Sequence, residues 1–176
     1  MRPIAQLSLA LAVAVAVSAT DSAAQDQYKK WGKVKNSEAQ ALMEQGDELF
    51  GSFDYVGARA QYESAVELIR VDGDFPAAPL YRMAASYYYE GKPMTAAGRF
   101  DALAAEAALY GDLVTEVWAL ADAAWINGQA GDKLDMDAHV EKLQRLLKSP
   151  YLPAETKKEI QANRLGEVTT LEQSDR

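Results

Sequence analysis

The chain contains no cysteine and a single histidine, His139. Thiol nucleophiles, disulfide staples, Cys-ligated metal sites and His clusters are all excluded, so stability has to come from burial. No stretch has the glycine spacing of a phosphate-cradling loop. The acids are scattered, with no pair set around a substrate and no nucleophile beside a base. We therefore expect no enzyme activity, no metal and no cofactor. Positive charge is also short: 18 Lys and Arg against 26 Asp and Glu leave a net charge of −8. That balance disfavours nucleic acid, whose phosphates are bound by clustered cations.

Long hydrophobic runs are missing too, except at the start. Arg2 is followed by an apolar run from Ile4 to Val17, fourteen residues, and then by small residues. This run is shorter than the ~20 residues needed to cross a bilayer as a helix, and the order of segments is that of a secretory signal peptide. Ser22-Ala23-Ala24 predicts cleavage before Gln25, with Ala19 as the other candidate site. Residues 1–24 would then be removed, leaving an exported, periplasmic or secreted protein without stable membrane insertion. Losing Arg2 and Asp21 leaves the net charge at −8.

What remains is rich in helical pattern. With 49% hydrophobic and 25% charged residues, the chain has the composition of one globular domain. "YKKWGKVK", Tyr28 to Lys35, lacks periodicity and reads as a flexible basic and aromatic arm over 25–36. Ser37 with Gln40 reads as a capping box ahead of a helix carrying Ala39, Leu42, Leu49 and Phe50. Gly51-Ser52 breaks that helix and Asp54 can cap the next. Val56, Ala58, Tyr62, Ala65, Val66 and Ile69 then form one stripe.

The pattern recurs. Laid on itself at a fixed shift, the chain matches Gly46 to Ala84, Leu49 to Tyr87, Ala58 to Ala96, Tyr62 to Phe100 and Ala65 to Leu103. A third copy starts at a shift one shorter, with Leu80 on Val117, Met83 on Leu120, Ala84 on Ala121 and Gly91 on Gly128. The shift then grows by three, matching Ala96 to Met136, Phe100 to Val140 and Leu103 to Leu143. We read the three-residue step as an insertion in the turn Gln129-Ala130-Gly131, with Asp132 capping the helix after it. Ala58 and Ala96 are small where paired helices must approach, and Tyr62 and Phe100 fill the space one turn later. Such pairs cannot bury a face alone and must stack.

On Gly46, Leu49, Tyr55, Ala58, Tyr62 and Ala65 in the first copy, and Ala84, Tyr87, Gly91, Ala96 and Phe100 in the second, the chain resembles the tetratricopeptide repeat, a helix-turn-helix unit of about 34 residues. The tryptophan usual in that family is replaced by Leu42, Leu80 and Val117. The resemblance implies an all-α solenoid of three repeats, about 37–72, 77–111 and 113–148, within a domain spanning 37–165. "PAETKKEIQANRL", Pro153 to Leu165, reads as a polar-faced capping helix, and 166–176 as a disordered tail.

In that family the first helix of each repeat lines a concave surface. The residues so placed form three triples: Met43-Asp47-Phe50, Tyr81-Ala85-Tyr88 and Trp118-Asp122-Trp125. Each is spaced i, i+4, i+7 and shares one helix face. Large side chains flanking partly exposed acids suit a protein or peptide partner with apolar anchors and a cation. The competing reading packs these side chains between neighbouring repeats or under the arm. The lysines and asparagines that some relatives use to clamp a C-terminal carboxylate are missing. Tyr87-Tyr88-Tyr89 wraps around a helix and should divide between core and groove. His139 falls on an outer helix as a solvated or packed residue. The expected function is a non-enzymatic adaptor of the bacterial envelope, the alternative an accessory subunit of an envelope enzyme or transport complex.

Overall fold

The computed structural model describes residues 34–165, so the expectations for 1–24, for 25–33 and for 166–176 lie outside the described residues. Among the described residues seven α-helices follow one another: α1 Ser37–Gly51, α2 Tyr55–Val71, α3 Ala77–Tyr89, α4 Pro93–Tyr110, α5 Leu113–Ala130, α6 Lys133–Leu146 and the short α7 Ala154–Glu159. A π-helical turn, Ile160–Leu165, ends the described chain. No strand occurs among the described residues. From α1 to α6 each helix packs on the next, and the π turn returns to α5. The architecture is the expected all-α solenoid of stacked helix pairs with a C-terminal cap.

Side chains also join alternate helices. Arg82 on α3 pairs with Asp47 on α1, and Tyr81 on α3 donates to Asp122 on α5. Arg70 on α2 pairs with Glu106 on α4, and His139 on α6 pairs with Asp101 on α4. The odd helices thus form one layer and the even helices the other, as stacking of pairs requires.

The five turns between α1 and α6 share one device. A residue with positive φ stands at Phe53 (65°), Gly73 (79°), Gly91 (82°), Gly111 (69°) and Gly131 (78°). In each turn its N–H donates to the carbonyl three residues back, and the following N–H donates to the carbonyl five back. This is the Schellman closure of a helix C-terminus. Turns within pairs fall at Phe53, Gly91 and Gly131, and turns between pairs at Gly73 and Gly111, so equivalent turns recur at a nearly constant interval. Aspartate follows at Asp54, Asp112 and Asp132, and each accepts from the N–H three residues on to start the next helix.

That register corrects one match. Gly91 corresponds to Gly131 and not to Gly128, because α5 continues through Gly128, Gln129 and Ala130. The three-residue step lengthens the helix, to 18 residues against 15 for α1 and 13 for α3, and inserts nothing in the turn. A single interior glycine costs a helix only ~1 kcal/mol, whereas the closure needs a left-handed residue followed by a cap, which Gly131-Asp132 supplies.

Other expectations shift at the edges. The N-cap of α1 is Asn36, whose Oδ1 accepts from the N–H groups of Glu38 and Ala39 at 3.0 and 2.9 Å. Ser37 is already helical, and Gln40 Oε1 accepts from Val34 N instead. Asn36 Nδ2 also donates to Asp72 at 2.7 Å and Lys35 pairs with Asp74 at 3.1 Å. The last residues of the supposed arm are thus tied to the α2–α3 turn. Val56 leaves the α2 stripe and is 64% exposed, since it lies about 200° around the helix from Ala58. Ala58, Tyr62, Ala65, Val66 and Ile69 are buried as a stripe should be. The capping segment is a short α-helix that widens into a π turn, with Ile160 buried but Ala154 and Ala162 exposed.

α5 is the central element. Every residue from Thr115 to Ala124 is buried, because α4, α6, the π turn and the α3 side chains all meet this helix. A helix apolar nearly all round is one enclosed on all sides.

Candidate functional site

Residues of the three predicted triples sit on α1, α3 and α5, the layer of odd helices. Met43, Tyr81, Ala85, Trp118 and Asp122 are buried, Phe50, Tyr88 and Trp125 are half-buried, and Asp47 is exposed. Two of the triples are brought together directly: Tyr81 hydroxyl donates to Asp122 Oδ2, and the rings of Tyr88 and Trp125 lie 5.3 Å apart. Tyr81 also packs edge-on against Phe100 of α4, with ring centroids 5.1 Å apart. The first triple meets α3 through different residues, with Arg82 Nε 2.8 Å from Asp47 Oδ1 and Tyr89 5.4 Å from Phe50.

These contacts overturn the picture of a partly exposed acid at Asp122, which is 5% exposed and engaged by Tyr81. Trp118 is likewise 5% exposed. Tyr81 and Asp122 go into the seam between α3 and α5, and Ala85 and Trp118 are buried too. Spacing of i, i+4, i+7 establishes a shared face, but a helix flanked by neighbours on both sides presents most of its faces to them.

Asp47 is held by two donors, Arg82 and the Tyr62 hydroxyl at 2.8 Å. Desolvation nevertheless raises its carboxyl above the usual aspartate range, outweighing the lowering by Arg82 and Tyr62. Burial first, and then the neighbouring Asp47, push the Tyr62 phenol upward. The Tyr62–Asp47–Arg82 set therefore joins α2, α1 and α3.

A second feature emerges beside the α1–α2 turn and extends across α3 to α5. Phe53, Tyr55, Phe50, Tyr89, Tyr88 and Trp125 form an unbroken run of rings, with successive centroids 6.4, 5.2, 5.4, 5.5 and 5.3 Å apart. The run starts in the α1–α2 turn, crosses the end of α3 and finishes on α5. All its members are half-buried except Phe53, which is 77% exposed. The three adjacent tyrosines are divided by helix geometry: Tyr88 faces α5, Tyr89 faces α1, and Tyr87 lies under the Arg59 guanidinium at 4.2 Å. Successive side chains on a helix point about 100° apart, so three in a row address three neighbours.

Phe53, Tyr55, Tyr89 and Arg82 were not among the predicted site residues. Signals existed for two of them: Tyr89 belongs to the tyrosine run expected to divide between core and groove, and Arg82 faces acids. Arg82 lies opposite Glu44 in the register that matches the first two repeats, one turn from Asp47, so a cation facing acids could have been read. The aromatic run depends on which way each helix end points, and no spacing within one helix reports that.

Elsewhere, Arg59 holds Ser86 at 3.2 Å and Glu90 at 2.6 Å, tying α2 to α3. Lys92 first and then Arg59 hold the Glu90 carboxyl below its usual range. Among the described residues no three His, Asp or Glu side chains are grouped to hold a metal ion. No helix among them is long and apolar enough to cross a membrane. No known protein family, curated protein or solved structure matches this chain.

Proposed function

We propose that this chain is a non-enzymatic interaction module built of tetratricopeptide-like repeats, exported to the bacterial envelope, that binds a peptide segment along its aromatic run. The repeat reading is supported by identical turn closures recurring at Phe53, Gly91 and Gly131. The binding reading rests on the ring run from Phe53 to Trp125. Aromatic rings dominate binding hot spots because they bury large area at little conformational cost, and a run touching four helices matches an extended segment. The partner chemistry differs from the one first expected. Asp47 and Asp122 are engaged by Arg82, Tyr62 and Tyr81, so the selected feature is a row of apolar side chains more than a cation.

A second reading, an accessory subunit within a larger envelope assembly, is favoured by Val56, Met94 and Leu134. Each is the second residue of an outer helix, and all three are exposed. They offer a lateral apolar row for a structural contact. A photo-reactive amino acid placed at Trp125, at Leu134 or at the exposed outer residue Glu63 separates the readings in intact cells. A product specific to position 125 supports the peptide-binding run, and one specific to 134 supports the lateral contact. Equal labelling from all three positions would remove both.

A further inference from the structure

We propose that His139 is a pH-operated clasp holding α6 to α4, closed when the imidazole carries both protons and slack when it carries one. The ring is half-buried in the middle of α6. Its Nδ1 faces the backbone carbonyl of Asp135, one turn back, and its Nε2 faces Asp101 Oδ1 on α4. Neither partner has a proton to give, because a carbonyl and an ionised carboxylate only accept. A neutral imidazole has one N–H and must aim a lone pair at one of these oxygens. Only the imidazolium donates to both.

The two charges that act directly on the ring are both negative. Asp101 faces it from α4, and Asp135 stands one turn away on α6 itself. From α5 the carboxylate that reaches α6 is Glu116, and it is taken by Lys142 at 3.0 Å. The Asp101 hydrogen bond raises the histidine pKa above its ordinary 6.5, with burial acting in the opposite direction and the Asp135 carbonyl adding to the rise. A raised folded pKa fixes the sign. The clasp contributes fully below the unfolded value of 6.5 and its contribution is lost as pH climbs through the folded value.

The consequence reaches beyond the pair. α6 buries Met136 and Leu143, with Val140 packed beside Met136, and its polar ties are the His139–Asp101 contact to α4 and the Lys142–Glu116 pair to α5. Met136 forms one apolar cluster with Ala124, against which Trp125 and Val140 pack. Slackening α6 therefore changes the support beneath Trp125. The clasp itself stands whether or not Trp125 binds a partner.

Because His139 is the chain's sole histidine, an imidazole NMR titration of the full chain reads it without ambiguity. Amide exchange of α6, corrected for the intrinsic rate at each pH, is followed on the same samples from about pH 5.5 to 9. We expect a midpoint above 6.5, and across it a loss of α6 protection of about two- to tenfold, as for one hydrogen bond, with α2 unaffected. Asp101→Asn should bring the midpoint down and flatten the α6 response. A wild-type midpoint at or below 6.5, or an α6 response that persists unchanged in His139→Gln, would overturn the proposal.

Discussion

Replacing Gly46 by alanine tests the close crossing of α1 and α2. A Cβ at position 46 would lie 2.4 Å from Tyr62 Cε1, 2.7 Å from Cδ1 and 3.0 Å from Cζ. Tyr62 is 1% exposed, and its hydroxyl is fixed to Asp47, the residue after Gly46, at 2.8 Å. The ring cannot retreat without giving up that hydrogen bond or forcing α1 and α2 apart. Overpacking of this kind costs ~1–3 kcal/mol, and losing the hydrogen bond adds ~0.5–1.5 kcal/mol. Against these stands a gain of ~1 kcal/mol for alanine over glycine inside a helix. The net expectation is a loss of ~0.5–3.5 kcal/mol, read as a lower urea midpoint at constant m-value by circular dichroism. Tyr62→Leu in the same chain should relieve the clash, so the double variant should lose less than the two single losses combined. A Gly46→Ala protein as stable as wild type, or more stable, would refute the close crossing of α1 and α2.

Phe53 occupies a left-handed turn position filled by glycine in the four equivalent turns. Phe53→Gly and Phe53→Ala both lose the ring, so glycine should exceed alanine by ~1 kcal/mol in chemical denaturation, and equal stabilities would contradict the turn geometry. Tyr81→Phe removes the hydroxyl held by buried Asp122 and should cost ~1–3 kcal/mol; an unchanged melting curve would show that this contact contributes nothing. Trp118→Ala should cost ~3–5 kcal/mol by opening a cavity at a site 5% exposed. Cross-linking from Tyr88 should survive that change in the fraction that folds, but be lost in a folded Trp125→Ala protein. The opposite pattern would move the proposed binding site from the ring run back to the predicted triples.

Much of the fold was legible because helix pairing leaves a periodic trace. Ala58 and Ala96 are both fully buried, and Tyr62 and Phe100 nearly so, as close packing of small against large demands. The caps at Asp54 and Asp132 could be read because a short acceptor before an amphipathic run has one use. The third repeat was harder. α5 is enclosed, so its pattern carries no polar face to phase it, and Gly128 inside the helix competes with Gly131 at its end. The turn register settles the matter, since positive φ recurs at Phe53, Gly91 and Gly131 even though the first of these is phenylalanine. No glycine search could have found it.

The candidate site was less legible, for a reason that Tyr81 and Tyr88 make concrete. They lie on one face of α3, two turns apart, and both turn toward α5. Tyr81 sits deep in the seam, where its hydroxyl meets Asp122, whereas Tyr88 lies at the helix end, where its ring meets Trp125 and remains half-buried. Sharing a face therefore did not mean sharing a fate, because depth along the helix axis separates them. In a two-layer stack the middle of a helix is surrounded by its neighbours, while its end abuts a turn and keeps part of its surface. The same depth divides Met43 from Phe50, whereas Trp125 is half-buried within α5 although Ile126 and Asn127 beyond it are buried. In each triple the first member is buried and the last is half-buried. This grading lets one set of helices carry both the seam that stabilises the stack and a ring run at its border. It also places the acids, at the middle positions, where Tyr62, Arg82 and Tyr81 engage them.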